Sequence, residues 1–254
     1  MIRADIYISK FGYAKSRESA KKLIEKGSVK IDGREIKKPS ETIDENSAHI
    51  VEVIKEKYVS RGSLKLEGAL DAFEIDVCGK VCIDIGASTG GFSDCLLQRG
   101  AEKIFAVDSG HGQLDITLRE NPKIVNIEGY NARDLDPCDF PYLFDIAVMD
   151  VSFISQTYIL GGASRVLSES GILVSLIKPQ FEAGRSAVGK GGIVKKKEDR
   201  ENAVTRVIDS AKESGLYCKG LIISPIKGGD GNIEYLGFFT KNEKDFNVDR
   251  KYIK

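Results

Sequence analysis

Apolar and amphipathic segments alternate along the chain from Lys80 onward. Short apolar runs bounded by glycine or charged residues predict strands, which are Val81–Ile85, Ile104–Val107, Ile124–Ile127, Ile146–Met149, Ile172–Ile177, Leu221–Ile223 and Tyr235–Phe239. Apolar positions at helical spacing predict helices that include Phe92–Gln98, Ser155–Leu167 and Glu198–Ser214. Strands that alternate with helices indicate a parallel, doubly wound α/β sheet, which binds ligands at the carboxyl ends of its strands. Only a glycine-rich loop separates the last two strands, so we expect that pair to be antiparallel.

The first forty residues carry a shorter pattern of their own. Ser16 is the predicted N-cap of a helix that stops at Gly27. Val29–Ile31 then alternates apolar and polar positions, and Asp32–Gly33 is a hairpin turn signal. We therefore expect a small α+β domain at residues 1–54, a charged linker at 55–61, a larger domain at 62–245 and a tail at 246–254.

The distribution of charge changes this picture. The chain has 254 residues with 38 basic and 38 acidic side chains, and a net charge of zero at first argues against a polyanionic partner. However, residues 1–40 hold eleven basic against five acidic side chains, residues 61–160 eight against sixteen, and residues 161–254 seventeen against twelve. Basic segments beside an acidic one predict a surface that binds RNA. The candidate contacts are Arg3, Lys10, Lys15, Arg17, Lys21, Lys22, Lys195 and Lys196.

Composition also argues against several classes of protein. No apolar run approaches the roughly 18–20 residues of a membrane-spanning helix, and Met1–Lys15 lacks the apolar core of a secretion signal. The five cysteines include no C-x-x-C pair, which argues against a disulfide framework and against a zinc site. We therefore expect a reduced, cytoplasmic protein that binds neither a metal nor a membrane. We also expect a monomer, an expectation that does not follow from composition.

A candidate cofactor loop follows the first strand of the larger domain. The segment D-I-G-A-S-T-G-G-F, Asp84–Phe92, places glycines at a strand-to-helix turn, where the backbone can approach a ligand closely. It is neither a dinucleotide fingerprint nor a phosphate-binding P-loop, and on its own it could also be a simple tight turn. An acidic residue before the glycines suits the cationic amino acid part of S-adenosylmethionine.

Two further acids strengthen this interpretation. Asp108 ends the next strand, where a carboxylate can accept both ribose hydroxyls, and Asp134 after the third strand is expected to face the adenine edge. The sequence thus predicts cofactor contacts at Asp84, Gly86, Ala87, Ser88, Gly90, Gly91, Phe92, Asp108 and Asp134.

Four charged residues give the stronger, catalytic signal. Asp150 ends the fourth strand, Lys178 ends the fifth and Glu234 opens the last, while Lys65 lies just before the first. A charge at the end of an apolar strand is costly to desolvate unless it is paired, so each one is a functional candidate. Any one of them alone could be a salt bridge at the rim, but four at corresponding strand ends indicate one site.

These motifs resemble a known family. The order Lys–Asp–Lys–Glu resembles the tetrad of the FtsJ-like ribose 2′-O-methyltransferases, and R-E-S-A-K-K-L-I-E-K-G-S-V-K-I-D-G resembles the S4 RNA-binding domain. Together they are similar to the TlyA family, also named hemolysin A, which methylates cytidine ribose in ribosomal RNA. The resemblance covers about residues 1–242 and includes S-R-G-S-L-K-L, M-D-V-S-F-I-S, K-P-Q-F-E and G-N-I-E-Y.

The resemblance implies a seven-stranded, Rossmann-like methyltransferase domain with S-adenosylmethionine as cofactor and ribosomal RNA or ribosomal subunits as partner. It also implies that Lys65, Asp150, Lys178 and Glu234 form the catalytic tetrad. Some family members carry an arginine and a tryptophan where this linker has E-K-Y-V at Glu56–Val59. A role of this linker in cofactor binding is therefore less secure here.

The chemistry would centre on Lys178. A ribose hydroxyl is a poor nucleophile at neutral pH, so a protein must position it and assist the loss of its proton. Neither His49 in the N-terminal domain nor His111 in a loop is well placed for this task. Because lysine side chains are protonated at neutral pH, two roles remain open: neutral Lys178 as the general base, which we favour, or charged Lys178 orienting the hydroxyl.

A long loop follows this lysine. It runs from Pro179 to Val194 with several glycines and ends at Lys195–Lys197. One interpretation is a mobile lid whose lysines contact phosphates beside the target nucleotide. The other is a flexible surface loop followed by solvated lysines.

Three other functions are alternatives to methyl transfer to ribose. A non-catalytic RNA-binding assembly factor would keep the fold without the tetrad. A membrane-lytic hemolysin would need a spanning or strongly amphipathic, aromatic-rich helix, and the chain has no tryptophan. A base-directed methyltransferase would need an Asn/Asp-Pro-Pro-Tyr-like element or a nucleophilic cysteine at a strand end.

Overall fold

Two compact units divide the chain, one from Met1 to Lys57 and one that begins at Tyr58. The computed structural model describes residues 1–25, 27–54 and 57–242. Part of the predicted linker, Lys55 and Glu56, and the whole predicted tail at 246–254 lie outside the described residues.

The N-terminal unit packs two helices against short strands. Its elements in chain order are β1 (Ile2–Arg3), α1 (Ala4–Lys10), α2 (Arg17–Glu25), β2 (Val29–Ile31), β3 (Arg34–Glu35), β4 (Thr42–Ile43) and β5 (Val51–Val53). Strand β1 pairs with β4, and β2 pairs with both β3 and β5, all antiparallel. Apolar residues from both helices and from β2 form one small core, with Ile8, Ile24 and Val29 almost fully buried.

The predicted helix cap and the predicted hairpin turn are both present in this unit. The Ser16 hydroxyl accepts a hydrogen bond from the backbone N–H of Ser19 at 3.1 Å, as expected of a residue that caps α2. Asp32 and Gly33 have φ angles of +52° and +76° and join β2 to β3. Positive φ at both central residues is the geometry of a two-residue hairpin turn, so the predicted hairpin is confirmed.

The second unit is built on a seven-stranded sheet. Its elements are α3 (Gly62–Ala72), β6 (Val81–Ile85), α4 (Gly91–Gln98), β7 (Lys103–Asp108), α5 (Ile116–Arg119), β8 (Ile124–Glu128), β9 (Phe144–Met149), α6 (Leu160–Val166), β10 (Leu167–Ile177), α7 (Pro179–Glu182), α8 (Lys197–Glu213), β11 (Tyr217–Ile223) and β12 (Tyr235–Thr240). The strand order is β11-β12-β10-β9-β6-β7-β8. The five strands from β10 to β8 are parallel, and β12 is antiparallel to both of its neighbours.

The sequence located these strands well and some other elements less well. Every predicted strand is present, and the antiparallel pairing of the last two is confirmed. The predicted helix at Ser155–Leu167 is wrong in detail, because a 3₁₀ turn at Gln156–Tyr158 precedes α6 and Leu167 already begins β10. The expectation that Lys65 lies at a strand end is also wrong, since this residue lies on α3, a helix that the pattern did not reveal.

Side chains on the two faces of the sheet enter two separate cores. Along β7, Phe105 and Val107 face one core, whereas Ile104 and Ala106 face the other. Helices α6 and α8 cover the first face, and α3, α4 and α5 cover the second. Because successive side chains of a strand point to opposite faces, strands covered on both sides are nearly continuous in apolar residues, which is why the sequence revealed them.

The remaining composition-based expectations concern cysteines and membranes. Cys82, Cys95 and Cys218 are buried, Cys78 and Cys138 are exposed, and all five are free thiols. Within the described ranges, no helix has the length and apolar character needed to cross a bilayer.

Candidate active site

The turn between β6 and α4 forms a cradle at the carboxyl end of the sheet. Gly86 and Gly90 have φ angles of +85° and +92°, and Ser88 between them has +49°. A side chain at Gly86 would lie 2.9 Å from the backbone oxygen of Asp150, and one at Gly90 would clash with Leu118. Both positions therefore require glycine, first for the backbone angle and then for the close packing of neighbouring segments.

Asp84 lies beneath this cradle as a fully buried carboxylate. Its Oδ2 accepts hydrogen bonds from the backbone N–H and the hydroxyl of Ser93, at 2.8 and 2.7 Å, in the first turn of α4. Its Oδ1 is buried without a hydrogen-bond partner among the residues that the structure describes. Burial raises the pKa of Asp84 to about 7, and the nearby Asp150 and Asp108 carboxylates add to this effect.

Asp108 closes the other side of the cradle. Its two oxygens accept hydrogen bonds from the backbone N–H groups of Ser88 and Gly110, at 2.7 and 2.8 Å. Each carboxylate oxygen has a second lone pair that these contacts leave available. Asp108 lines a cleft of about 600 Å³ together with Gly86, Gln113, Tyr130, Asn131, Ala132 and Arg133.

Asp134 is not brought to this cleft. It ends a 3₁₀ turn at Ala132–Asp134 and its side chain is exposed, whereas Asn131 and the first two residues of the turn line the cleft. Residues 131–133, rather than Asp134, therefore line the cleft.

Lys178 meets Asp150 at the ends of β9 and β10. Lys178 Nζ lies 2.6 Å from Asp150 Oδ1 and donates a hydrogen bond to the Ser152 hydroxyl at 2.7 Å. Asp150 follows the last residue of β9, and its backbone N–H donates to the carbonyl oxygen of Ile85 at the end of β6. Adjacent parallel strands thus bring the two predicted residues together.

Lys65 forms a second pair with Glu234. Lys65 Nζ donates to Glu234 Oε2 at 2.6 Å, and their side chains are only 11% and 3% exposed. Glu234 precedes β12, whose first residue, Tyr235, pairs with Ile177 at the end of β10. Because β12 runs antiparallel, the start of this strand lies at the end of the sheet where the parallel strands terminate. Helix α3 places Lys65 beside Glu234 at this end.

The two pairs and the cradle meet in a second cleft of about 230 Å³. Its walls include Lys65, Asp150 and Lys178 together with Gly86–Thr89, Gly91 and Phe92 of the cradle. It adjoins the larger cleft, because Gly86, Ser88, Asp150 and Ser152 line both. A reactive group held by the cradle would therefore lie beside the two lysines.

The loop after Lys178 is partly ordered by local contacts. Its first residues form α7 rather than an irregular loop. At its far end the Val194 backbone N–H donates to Asn232 Oδ1 at 3.0 Å, and Arg200 donates to the Val194 and Lys195 carbonyl oxygens. Lys195 and Lys196 follow as exposed side chains.

Most of the predicted RNA contacts in the N-terminal unit form ion pairs within it. Arg3 and Arg17 both donate to the buried carboxylate of Asp5 at 3.0 Å, and the Arg3 hydrogen bond is the main cause of the lowered pKa of Asp5. Four lysines complete the predicted set: Lys10 pairs with Glu45, Lys21 with Glu25 and Lys22 with Glu18, while Lys15 is exposed and has no ion-pair partner within residues 1–25, 27–54 and 57–242.

Comparisons with known proteins agree with this geometry. Residues 58–241 match the FtsJ-like methyltransferase family, and residues 2–48 match the S4 domain. YqxC of Bacillus subtilis is 44% identical over 235 residues, which cover 92% of this chain and 84% of that protein. A protein of Mycobacterium tuberculosis named 16S/23S rRNA (cytidine-2'-O)-methyltransferase TlyA is 42% identical over 92% of this chain and 87% of its own length. The chain belongs to the TlyA family.

A solved structure extends the agreement to the fold of TlyA-family proteins. A Streptococcus thermophilus protein that carries a hemolysin name is 43% identical, with a TM-score of 0.74 over 95% of this chain and 88% of that one. The chain is thus an S-adenosylmethionine-dependent methyltransferase with an S4 domain, and the predicted fold and cofactor are confirmed.

The cradle fits S-adenosylmethionine by its chemistry. The unpartnered buried oxygen of Asp84 suits a cationic group, the free lone pairs of Asp108 suit ribose hydroxyls, and the glycine turn lines both clefts. Within the part of the chain described, no cluster of three or more His, Cys, Asp or Glu side chains is arranged to hold a metal ion.

Several neighbours of this TlyA-family site were missed by the sequence analysis. Ser152 contacts Lys178, Ser93 holds Asp84, and Asn131 and Gln113 line the larger cleft. In the predicted linker, the backbone N–H of Val59 donates to Asp94 Oδ2 at 2.7 Å. Polar residues of this kind follow no hydrophobic period, so only the M-D-V-S-F motif hinted at one of them.

Titration of Asp84 gives the first prediction. Its pKa of about 7 lies above the ordinary 3.8, so between these values the folded protein binds a proton that the unfolded chain has lost, and the free energy of unfolding falls as the pH rises. A bound cation favours the ionised form, so affinity for S-adenosylmethionine should increase from about pH 5.5 to about pH 7.5, by up to about tenfold per unit.

Calorimetric titrations of wild-type protein, Asp84→Asn and the exposed control Asp209→Asn test this expectation. Asp84→Asn should bind more weakly with little pH dependence, whereas Asp209→Asn should match the wild type. The same pH slope in Asp84→Asn as in the wild type would contradict the assignment.

Proposed function

We propose that this chain transfers a methyl group from S-adenosylmethionine to the 2′-hydroxyl of a cytidine ribose in ribosomal RNA. The observation that carries the proposal is the shared cleft, in which Lys65, Asp150 and Lys178 line the same walls as the glycine turn. The named activity of the Mycobacterium tuberculosis relative supports both the cytidine and the ribosomal RNA.

The cofactor supplies a methyl group that its sulfonium already activates, so the protein has to act mainly on the ribose hydroxyl. Lys178 Nζ forms an ion pair with Asp150 Oδ1 at 2.6 Å and donates a hydrogen bond to the Ser152 hydroxyl at 2.7 Å. An ammonium has three N–H donors, so Lys178 can also donate to the ribose hydroxyl oxygen. In its neutral form, the Lys178 nitrogen would take up the hydroxyl proton as the ribose oxygen accepts the methyl group that a bound cofactor would supply.

Lys65 and Glu234 support this step from the side of α3. The Lys65 ammonium lines the cleft, and Glu234, which is 2% exposed, holds it there. In this proposal Lys65 stabilises the negative charge that develops on the ribose oxygen, and Glu234 fixes the position of Lys65. Such fixed charges act strongly because they need little reorganisation during the reaction.

Binding of RNA is assigned to the basic residues of the S4 domain and to Lys195 and Lys196. Ion pairs between exposed side chains contribute little stability, so phosphates can compete for the exposed lysines of the N-terminal unit. We place the activity in the cytoplasm, where ribosomes are assembled, and assign it to a monomer.

Methyl transfer from labelled cofactor to unmodified ribosomal subunits tests the function directly. Wild-type protein should label RNA from at least one subunit, and nuclease digestion should release 2′-O-methylcytidine. Lys178→Ala should lower kcat by about 10²–10⁴-fold, because it removes the proton acceptor, while S-adenosylmethionine still binds.

Lys80→Ala is a matched control, because Lys80 is exposed and lies at the amino end of β6, away from the site at the carboxyl ends of the strands. This variant should retain wild-type turnover. Label on a cytosine base, or near-normal turnover by Lys178→Ala, would contradict the proposed chemistry.

The salt dependence of RNA binding tests the phosphate contacts. The affinity for ribosomal RNA should fall steeply with salt, with a log–log slope near −1 for each phosphate contact. Lys195→Ala combined with Lys196→Ala should reduce this slope by about two, and Lys80→Ala should leave it unchanged. Filter binding over a range of potassium chloride concentrations measures the slope, and a salt-independent affinity would refute the footprint.

A further inference from the structure

A buried carboxylate lies behind the Lys178 side of the site, and the chemistry proposed above does not use it. Glu182 ends α7 and is only 3% exposed. Its Oε2 accepts a hydrogen bond from the Ser155 hydroxyl at 2.5 Å, and its Oε1 accepts one from the backbone N–H of Gln156 at 2.9 Å. Both donors belong to the segment that follows β9.

Gln156 and Arg206 extend these contacts to two further elements. The buried side chain of Gln156 accepts a hydrogen bond from the Ser175 hydroxyl of β10 at 2.5 Å and donates one to the carbonyl oxygen of Leu176 at 3.4 Å. Arg206 of α8 donates to the backbone oxygen of Glu182 at 3.2 Å. Glu182 is therefore connected to the segment after β9, to β10 and to α8.

The two segments that Glu182 joins directly are those that carry the Lys178–Asp150 pair. Asp150 lies five residues before Ser155, and Lys178 lies four residues before Glu182. The segment after β9 and the segment after β10 contact each other through Lys178, which meets Asp150 and Ser152. They also contact each other through Glu182, which accepts hydrogen bonds from Ser155 and Gln156. Two attachments fix both the separation and the relative orientation of the segments.

The segment between these attachments adopts a conformation that it would not keep alone. Phe153 has a φ angle of +64° and is 93% exposed, so its own burial does not hold the backbone there. A non-glycine residue in the left-handed region is strained and persists only where surrounding contacts impose it. The contacts at this segment are those of Ser152 with Lys178, of the Phe153 ring with Phe181 and of Ser155 with Glu182.

The Glu182 carboxyl is buried and accepts a hydrogen bond at each oxygen. Burial raises its pKa above the ordinary value, and the Ser155 and Gln156 hydrogen bonds and the Arg206 charge offset this only in part. A buried carboxylate with both oxygens hydrogen-bonded is held tightly, because any rearrangement would leave a polar group without a partner.

We propose that Glu182 is a positioning residue for methyl transfer, which holds residues 151–156 so that Asp150 and Ser152 meet Lys178. This inference rests on the proposed function, because its kinetic consequence is measured on ribose methylation. Glu182 itself touches none of the reacting atoms. Misplacement of reacting groups by about 1 Å can lower a rate by about 10²-fold, so the loss of this attachment should affect kcat.

Two variants separate positioning from mere stabilisation. Glu182→Leu removes both acceptors, whereas Glu182→Gln can keep both contacts. Its amide oxygen accepts from Gln156, and its amide donates to Ser155 once the hydroxyls of Ser155 and Thr157, which are 2.7 Å apart and can exchange donor roles, reverse their bond. Glu213→Leu, at the exposed end of α8, is the matched control.

We expect Glu182→Leu to lower kcat per molecule of bound S-adenosylmethionine by about 10²-fold, with an unchanged Kd for the cofactor. Glu182→Gln and Glu213→Leu should retain wild-type kcat. In protein without RNA, the backbone amide hydrogens of residues 151–156 should exchange faster in Glu182→Leu than in the wild type. Glu182→Gln and Glu213→Leu should exchange at the wild-type rate. A purely structural role would lower Tm and yield but leave kcat per cofactor-binding molecule unchanged.

Wild-type kcat and wild-type exchange in folded Glu182→Leu would overturn the inference. If this variant does not fold, Ser155→Ala removes one of the two hydrogen bonds and should give a smaller fall in kcat with faster exchange; wild-type values for both would overturn the inference equally. Failure of the wild-type protein to methylate any ribosomal RNA would contradict the proposed function instead, and the exchange rates would still decide the role of Glu182.

Discussion

Two lysine–carboxylate pairs, one buried and one partly exposed at its carboxylate, constrain the methyltransferase unit. Lys65–Glu234 and Lys178–Asp150 each have 2.6 Å between nitrogen and oxygen, and both lysine side chains are 11% exposed. Ions removed from water are tolerated only with close partners, and loss of one partner leaves an uncompensated buried charge. The fold must therefore bring each pair together before the site exists.

The topology meets this requirement with residues far apart in sequence. Lys65 and Glu234 are 169 positions apart and meet because α3 packs against the sheet while β12 lies antiparallel between β10 and β11. The same end of the sheet holds the glycine cradle, with Asp84 beneath it and Asp108 beside it. The net charge of zero thus conceals two roles, because acidic side chains concentrate in the segment assigned to a cationic cofactor and basic ones lie in the segments assigned to RNA.

Strand positions could be predicted from the sequence because burial on both faces leaves long apolar runs. Helix α3 could not, since it contains Gly62 and Gly68 and begins without a side-chain cap. Asp134 was misplaced because a 3₁₀ turn directs residues 131–133 into the cleft instead. The partner of each lysine could not be predicted either. The residues of the tetrad are visible in the sequence, but which lysine contacts which carboxylate depends on the strand order.

A double-mutant cycle on Lys65 and Glu234 tests the central claim that each lysine and its carboxylate contribute to stability only together. Lys65→Met and Glu234→Met should each lower the free energy of unfolding by about 3–5 kcal/mol, because each leaves a buried charge alone. The double variant should recover most of that loss while methyl transfer remains abolished, so stability and activity separate. Additive losses of stability, or normal methyl transfer by the double variant, would contradict the account.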